Sequence, residues 1–401
     1  MSKTILLLGG SRFALPVIKA AHNMDCKVIT CDYLPNNIAH KYSDAYENVS
    51  IIEKEEVLKV AEKNKIDGIL SFACDPGVVT AAYVAEKMGI PSCGSYESVS
   101  ILQNKDKFRQ YLYDHGFSVP WSYSYGSLVD ALNAEESFTY PLIVKPTDSA
   151  GSKGVSRVDN RDGLKKAIEN ALDNSHCSQI IIEQFLESEG SPSDSECFSV
   201  DGQLVFTSFS AQKFDKKSAN PYTPSGFTWL PDISADNQRK IKAELQRLIG
   251  LLGMKTSLYN VESRQCVDGK SYLMEVSPRG GGNRLAEMLK KATGTDLIEY
   301  AVRASLGVSI NGPFNEIVDG NWAEIILHGR KRGNFREIVL SKEIKENLIE
   351  EDIWIKPGDR IEPFTGANMT IGTLVMKFSD KLVMQDIMDD PYKYIDIISE
   401  G

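Results

Sequence analysis

The sequence is most informative over Leu258–Asn283, which reads LYNVESRQCVDGKSYLMEVSPRGGGN. Two runs of strand-forming residues, Leu258–Gln265 and Lys270–Val276, flank the dipeptide Asp268-Gly269. Asp-Gly between two such runs is a common signature of a two-residue type I′ turn in a β-hairpin. The sequence therefore predicts a hairpin in which the two residues that flank the dipeptide are paired, and that pairing sets the register of both strands.

Counting back along the predicted strands places Glu262 opposite Glu275 and Asn260 opposite Ser277. Side chains alternate along a strand, so these four share one face, with the two carboxylates about 5 Å apart at Cβ. Like charges there repel unless one acid is protonated or a cation lies between them. Magnesium is the natural cation because it binds one or two carboxylates together with substrate phosphates. The alternative is a solvent-exposed hairpin with two unrelated acids.

The composition is that of an ordinary globular protein, and 401 residues suffice for two or three domains. A net charge of −10 and a pI near 5.2 argue against a nucleic-acid-binding or membrane-binding surface. No apolar run is long enough for a signal-peptide core or a membrane span, so we expect a cytoplasmic protein. The seven cysteines lack the spacing of a zinc site or a disulfide framework, and we assign them no chemistry.

The N-terminal region has the pattern of a β-α-β fold with a parallel sheet. Apolar strands are predicted at residues 4–8, Lys27–Cys31 and Ile66–Phe72, with helical patterns between and after them. Gly9-Gly10 and Asp32 are reminiscent of a dinucleotide site, but the G-x-G-x-x-G pattern is absent and bulky residues follow the glycines. We therefore expect a tight turn in a domain that contacts a substrate.

A second domain is predicted to begin after a connecting segment, Gly94–Asn104, with a helix at Asp106–Leu112. The strand Leu142–Pro146 then leads into TDSAGSKGV at residues 147–155. Glycines permit close approach of the backbone, and successive N–H groups beside lysine ammonium groups form a nest that suits a polyphosphate. The alternative is a mobile loop with solvated lysines, because the Walker A pattern is absent.

The rest of the chain predicts more strands, one irregular segment and a helix at Arg239–Leu252. The apolar residues of that helix form one stripe: Ile241, Leu245, Leu248, Ile249 and Leu252. The strands are expected at Gln179–Leu186, Glu196–Val200, Gln203–Phe209, Trp322–Leu327, Phe335–Leu340, Asp359–Glu362 and Leu374–Phe378. A second Asp-Gly turn, Asp201-Gly202, separates two of them. Residues 211–228 are rich in Lys, Ser, Asn and Pro, which predicts an irregular substrate loop or lid.

These patterns predict a multidomain protein of mixed α/β and α+β class. An N-terminal α/β domain with a parallel sheet is expected at 1–105. A central domain is expected at 106–312, with subdomains at about 106–186 and 187–312. A small β-rich domain is expected at 313–401, where strand patterns with few helical segments replace the mixed pattern.

Four motifs occur in a fixed order along the chain. They are D-K-x-x-x-x-L at Asp106–Leu112, a strand with Lys-Pro and a glycine loop at 142–155, a strand with an acid at 180–186, and E-x(12)-E-V-x-P-R ending at Arg279. Together they resemble the ATP-grasp superfamily, and within it the carboxylate–amine ligases built like biotin carboxylase and carbamoyl-phosphate synthetase. The resemblance implies an ATP-grasp fold for the central domain and covers about residues 4–310.

The resemblance implies a nucleotide site built from several loops and strands. Phosphate contacts are expected from Lys107, Lys145, Ser149, Gly151, Ser152 and Gly154. Adenine contacts are expected from a hinge with Glu183, Phe185 and Leu186. The ribose is expected to meet Glu196, with Asp194 as the alternative because the polar loop before this strand leaves the register open.

The resemblance also implies metal, reaction and substrate residues. Glu262 and Glu275 are expected to hold magnesium. Where the family usually has Asn, this chain has Ser277, so the number of metal ions stays open. The remaining expectations are catalysis by Arg279 and Lys145, with Arg279 stabilising the anionic intermediate, and substrate binding by Asn283 and Arg284.

The implied reaction joins a small carboxylate, such as an amino acid, to an amine through an acyl phosphate. ATP and magnesium, or manganese in its place, are the expected cofactors, and ADP and phosphate are the products. Two alternatives are an ATP-grasp kinase with a stable phosphorylated product and a nucleotide-binding sensor without turnover. The expected partners are these small molecules and a second copy of the chain in a homodimer, with no nucleic acid or membrane.

Overall fold

The computed structural model describes residues 2–149 and 153–401. Its N-terminal strands are β1 Thr4–Leu8, β2 Lys27–Cys31, β3 Ala45–Glu47 and β4 Gly68–Ser71, and its first helices are α1 Leu15–Asn23, α2 Lys54–Asn64, α3 Asp75–Met88 and α4 Tyr96–Gln103. The strands form a parallel sheet in the order β3-β2-β1-β4. Residues on β1 pack alternately against α1 and against α2 with α3, so the strand is apolar throughout. The predicted parallel sheet is confirmed.

Two further features of the N-terminal region are helix α4 and the glycine turn after β1. The predicted connecting segment Gly94–Asn104 contains α4, which begins at a Ser95 cap and buries Val99. The carboxylate of Asp32 accepts a hydrogen bond from the Gly10 N–H at 2.8 Å. That acid therefore holds the glycine turn together, which agrees with the turn expected there.

The next part of the chain forms an antiparallel sheet that carries the glycine loop. Its elements are α5 Lys105–Asp114, β5 Ser122–Tyr125, α6 Leu128–Asn133, β6 Leu142–Pro146, β7 Ser156–Val158, α7 Leu164–Asp173 and β8 Ile180–Gln184. The strand order is β5-β8-β6-β7, so β6 and β8 are central. The glycine loop connects β6 to β7 at the edge of this sheet. Alternate residues of β6 and β8 pack on α7, and Lys145 and Glu183 lie on the opposite face.

A second antiparallel sheet follows. Two strands from this part of the chain belong instead to a sheet of the C-terminal region. The elements are β9 Ser193–Val200, β10 Gln203–Thr207, β11 Ala211–Phe214, β12 Pro224–Thr228, α8 Ala235–Leu251, β13 Ser257–Gln265, β14 Ser271–Ser277, α9 Leu285–Thr293 and α10 Leu297–Ser305. The sheet order is β10-β9-β13-β14. Helix α8 covers one face of the sheet with the apolar stripe that its sequence predicts.

The C-terminal region is rich in strands, as its sequence predicts. Its elements are β15 Asn321–His328, β16 Gly333–Leu340, α11 Lys342–Asn347, β17 Leu348–Ile353, β18 Arg360–Ile361, β19 Thr370–Phe378, α12 Lys381–Asp389 and β20 Ile395–Glu400. One sheet has the order β11-β12-β15-β19-β17, and a smaller sheet has the order β18-β16-β20. No helix in the described ranges is long and apolar enough to cross a membrane.

The expectation of an irregular segment at 211–228 is wrong. Strands β11 and β12 lie within it and extend the C-terminal sheet, with Phe227 paired to Glu324 of β15. The segment is polar in composition, yet Ser225, Phe227 and Thr228 are all buried because β12 lies between β11 and β15 in the sheet. The turn that follows β11 is held by Asp215, which accepts two hydrogen bonds from Arg330 at 2.7 and 2.9 Å.

The hairpin of β13 and β14 has the predicted carboxylate register but a different turn. Cys266, not Val267, pairs with Lys270, and Asp268 is not among the described residues with positive φ, so the predicted type I′ turn is wrong. A β-bulge at Met274 then shifts the register by one residue and restores the pairing of Glu262 with Glu275. By contrast, Asp201 and Gly202 have φ of 49° and 79°, as a type I′ turn requires.

Candidate active site

Six polar side chains form two rows on one face of the sheet of β9, β13 and β14. The first row consists of Asp194, Glu262 and Glu275, and the second of Glu196, Asn260 and Ser277. Directly paired residues of antiparallel strands point to the same face, so four carboxylates lie close together. The predicted loop before Glu196 is shorter than expected because β9 begins at Ser193, and this brings Asp194 into the first row.

Glu196 lies at the buried end of this polar face. Its Oε1 accepts hydrogen bonds from the Gly281 N–H at 2.7 Å and from Asn260 Nδ2 at 3.1 Å, and the same amide contacts Asp194 at 2.5 Å. Its Oε2 has no hydrogen-bond partner in the described ranges. Burial raises the pKa of Glu196 to about 7, and burial together with Glu196 and Glu262 raises the pKa of Asp194 well above its usual range.

Glu262 and Glu275 are more open, with about a third of each side chain exposed. The nearest cations are Arg264, 3.9 Å from Glu262, and Lys105, 3.9 Å from Glu275. Two facing carboxylates with open oxygens are the donor set that Mg²⁺ uses alongside nucleotide phosphates, so the residues fit that ion. Within residues 2–149 and 153–401, no group of three or more acidic, histidine or cysteine side chains forms a complete metal cage.

A set of paired charges lies on the sheet that faces these carboxylates. Glu183 accepts hydrogen bonds from Arg109 Nε at 3.0 Å and from Lys145 Nζ at 2.5 Å, and all three side chains are largely buried. Burial opposes the ionisation of Glu183, but the two cations outweigh it and lower its pKa to about 2. Burial, opposed by Glu183, lowers the pKa of Lys145 to about 8.

Lys105, rather than the predicted Lys107, lies in the cleft between the sheet of β6 and β8 and the sheet of β9, β13 and β14. Lys105 Nζ donates to the Ser149 carbonyl at 2.9 Å and lies 3.9 Å from Glu275. Lys105 and Arg109 are four residues apart and therefore lie on one face of α5, whereas Lys107 is exposed on another face. The phosphate contact expected of Lys107 stays a prediction, and sequence reasoning missed Lys105 because the D-K motif contains Lys107 but not Lys105.

The glycine loop is described only at its two ends. Gly151 and Ser152 lie outside the described residues, so their expected phosphate contacts stay predictions. Ser149 is held by Lys105 through its carbonyl, and Gly154 adopts φ of 71°, where a Cβ would meet Pro146 at 2.9 Å. The close approach and the positive φ explain why glycine is required at 154.

The predicted hinge lies between the two sheets. The backbone of Glu183 is in the central strand β8 and is paired on both sides, so its side chain, not a free backbone group, faces the cleft. Phe185 donates its N–H to Pro141, whereas the backbone N–H and carbonyl of Leu186 have no partner within the described residues. Leu186 packs near Met274 in a small apolar cluster. Leu186 thus offers both an open backbone and an apolar side chain at the hinge.

Arg279 joins the carboxylate face to the N-terminal domain. It makes two hydrogen bonds to Asp75 of α3, at 2.8 and 2.9 Å, and is largely buried. Ser277 donates to the same acid at 2.8 Å and accepts from Gln103 at 2.7 Å. The hydroxyl expected near the metal therefore takes part in the domain junction, and sequence reasoning missed Asp75 because nothing local marks it.

Asn283 and Arg284 follow the glycines and both have left-handed backbone conformations, with φ of 54° and 66°. Arg284 bonds to Glu287 at 3.3 Å and to Glu350 of β17, so it is anchored between the central and C-terminal regions. Asn283 Oδ1 and Arg284 Nη1 are buried and lack partners among the described residues. The acid Glu324, a neighbour of Arg284, was missed because it lies in an apolar strand pattern.

Residues 138–287 match the family described as ATP-grasp domain. The chain is 24% identical over 272 residues to the carbamoyl phosphate synthase large chain of Ralstonia nicotianae, covering 66% of this chain but only 24% of the relative. It is 25% identical over 333 residues to the formate-dependent phosphoribosylglycinamide formyltransferase of Synechococcus sp., covering 82% of each chain.

Solved structures show the same fold over the whole chain. The L-amino acid ligase from Bacillus licheniformis superposes with a TM-score of 0.82 at 19% identity and covers 100% of this chain and 99% of that one. The phosphoribosylglycinamide synthetase from Anaerococcus prevotii superposes with a TM-score of 0.75 at 20% identity and covers 100% of both. These structures confirm the predicted fold class.

Proposed function

The chain contains an ATP-grasp domain, and from that premise we propose that it is an ATP- and magnesium-dependent ligase. It joins a small carboxylate to an amine through an acyl phosphate and releases ADP and phosphate. The observation that supports this proposal is the facing pair Glu262 and Glu275, with Lys105 and the Arg279 guanidinium at its border. A cleft with acids for a metal and cations for phosphates suits phosphoryl transfer, which depends mainly on positioning and charge neutralisation.

The proposed roles belong to residues on both sides of the cleft. Lys105 and Lys145 contact phosphates, and the Leu186 backbone meets the adenine. Glu196 accepts hydrogen bonds from the ribose, with Asp194 beside it as the alternative. Glu262 and Glu275 hold the metal, which shields phosphate charge when bound.

The proposed chemistry needs no nucleophilic side chain. A substrate carboxylate oxygen bonds to the γ-phosphorus while the bond from that phosphorus to the β–γ bridging oxygen breaks, and ADP leaves. The amine nitrogen then bonds to the acyl carbon, the carbon–oxygen bond to phosphate breaks, and the amine loses a proton. In this proposal Arg279 stabilises anionic charge in these steps, and the glycine loop excludes water from the acyl phosphate.

Several broader expectations belong to the same proposal. Asn283 and Arg284 form part of the substrate pocket. The domain boundaries lie near residues 105 and 312, so the residues that contact the substrates come from different domains. The protein is cytoplasmic, acts on small molecules without nucleic acid or membrane, and forms a homodimer. The similar proteins described above include a synthase, a synthetase and a ligase, which supports ligation over a sensor without turnover.

The test is to screen pairs of small carboxylates and amines for release of ADP and phosphate. With the correct acid and no amine, hydroxylamine should trap a hydroxamate. With the correct amine added, one phosphate should appear for each ADP. A stable phosphorylated product with no phosphate released would identify a kinase, and the absence of ADP with every pair would leave a sensor.

A further inference from the structure

Glu324 is a buried carboxylate outside the proposed metal and nucleotide contacts. It lies in the middle of β15 with no solvent exposure, and both of its side-chain oxygens lack hydrogen-bond partners in the described ranges. An ionised carboxylate in such a place is costly unless a cation accompanies it. Most buried polar groups in proteins are hydrogen-bonded, so this exception requires a physical reason.

The charged side chains around Glu324 show that it lacks a positively charged partner. The surrounding charges come from five carboxylates, those of Asp194, Glu287, Glu324, Glu350 and Asp352, and from three cations, those of Arg12, Arg284 and Lys291. Three of these carboxylates have an ion pair: Glu287 with Arg284 at 3.3 Å, Glu350 with Lys291 at 2.8 Å and Asp352 with Arg12 at 3.9 Å. Asp194 accepts a hydrogen bond from Asn260, so Glu324 is the one acid of this set with neither an ion pair nor a hydrogen bond in the described ranges.

The position of Glu324 connects this deficit to the substrate side of the cleft. Glu324 is paired across the sheet with Phe227 and Val375, whose side chains belong to the core shared with α9 and the N-terminal domain. Val375 is also paired with Glu350, which bonds to Arg284, so Glu324 lies on the sheet face that carries a contact of Arg284. No ion pair within 4.0 Å joins Glu324 to Arg284.

Two more buried atoms without partners in the described ranges belong to Asn283 and Arg284, the residues that lead into α9. Asn283 Oδ1 accepts hydrogen bonds, as the two oxygens of Glu324 do, whereas Arg284 Nη1 donates. An ammonium group donates three hydrogen bonds and carries a positive charge, and a carboxylate accepts from a guanidinium. A molecule with both groups would satisfy all of these atoms.

We propose that Glu324 binds the ammonium group of an amino acid substrate, with Asn283 as a second acceptor and Arg284 as a donor to the substrate carboxylate. This assignment rests on the proposed ligase function and names the substrate class of its acid. A simple carboxylic acid without an ammonium group leaves Glu324 unpaired and binds weakly. Glu324 is thus a specificity residue, separate from the groups that act on ATP.

The test compares Glu324→Gln, Glu324→Asp and the control Glu316→Gln. Glu316 is an acid paired with Lys242 and Thr207, away from Glu324. Thermal shifts are measured with each proteinogenic amino acid and with its des-amino analogue. The wild-type protein and Glu316→Gln should be stabilised by at least one amino acid and not by its analogue. Glu324→Gln should need at least tenfold more of that amino acid for the same shift.

Two further readouts separate recognition from a structural role. Without ligand, Glu324→Gln should melt at the same temperature as the wild-type protein or higher, because it removes an unpaired buried carboxylate. Glu324→Asp keeps the charge and should retain more binding than Glu324→Gln. With turnover, KM for the amino acid should rise while KM for ATP stays within twofold.

The inference is overturned if des-amino analogues bind as well as amino acids, if none binds, or if Glu324→Gln binds normally. A lower melting temperature of Glu324→Gln without ligand also overturns it, because the carboxylate would then be structural. If an amino acid binds through Glu324 but no amine supports ADP release, the recognition site stands and the ligase proposal fails. The two failures are therefore distinguishable.

Discussion

The two walls of the cleft, one containing β8 and the other β9, differ in whether a buried carboxylate has a cation beside it. On the β8 wall, Glu183 is clamped by Arg109 and Lys145, and its pKa falls to about 2. On the β9 wall, Glu196 is equally buried but has only neutral donors, and its pKa rises to about 7. The first wall completes its charge pairs within the protein, whereas the second leaves acids for a cation or a ligand.

The largest expected effect comes from removing a charge of the acidic wall. Glu275→Gln should keep the fold, because the side chain is about a third exposed, and should lower magnesium-dependent turnover by about 10⁴-fold, or about 5.5 kcal/mol. Steady-state kinetics with circular dichroism measure both properties. Glu244→Gln, on the surface of α8, is the control and should be fully active. A folded Glu275→Gln with turnover within tenfold of wild type would contradict the metal assignment.

Removing the acid of the cationic wall should affect the fold itself. Glu183→Gln leaves Arg109 and Lys145 buried without a counter-charge and should lower the free energy of unfolding by about 4 kcal/mol, measured by urea denaturation at pH 7. Asp236→Asn on exposed α8 is the control and should leave the urea midpoint unchanged. Normal stability of Glu183→Gln would show that the cluster serves only the ligand.

The two glutamates should respond to pH with opposite sign. The pKa of Glu196 rises from an ordinary 4.5 to about 7, so the folded state binds more protons than the unfolded state in this window. Its contribution should lower the free energy of unfolding by about 3 kcal/mol as pH rises from 4.5 to 7. Glu196→Gln should remove that slope from denaturation curves recorded at several pH values.

Glu183 provides the internal contrast for the same measurement. Its folded pKa of about 2 lies below the ordinary 4.5, so its stabilisation is present above pH 4.5 and is lost as pH falls toward 2. The variant Glu183→Gln should lack this acid sensitivity but keep the slope between pH 4.5 and 7. An unchanged slope in Glu196→Gln would mean that another group, with Asp194 the first candidate, titrates there.

The smallest effect should come from the glycine that contacts Glu196. A Cβ at Gly281 would lie 2.5 Å from Glu196 Oε1 and 2.7 Å from Asn260 Nδ2, whereas a Cβ at Gly282 would meet nothing closer than 3.7 Å. Gly281→Ala should therefore weaken ATP binding about tenfold, or about 1.4 kcal/mol, by displacing Glu196. Gly282→Ala is the matched control. Equal affinities in calorimetry would show that Glu196 does not contact the nucleotide.

Much of the fold and part of the site follow from local sequence patterns. Apolar runs and periodicity predict the parallel sheet, the stripe of α8 and most strands. The facing of Glu262 and Glu275 is also predicted, but through two errors that cancel: the turn is one residue longer than expected, and the bulge at Met274 restores the register. A bulge has no strong sequence signature, so this agreement could not have been assured by counting.

The sequence by itself determined the order of motifs, the alternation of strands and the acids of the hairpin, because these depend on neighbours along the chain. Only the tertiary structure decided that Lys105 rather than Lys107 enters the cleft and that Asp75 pairs with Arg279. It also decided that β11 and β12 join the C-terminal sheet and that Glu324 is left without a partner. These outcomes depend on which faces of distant elements meet, and burial then sets the charge of each group.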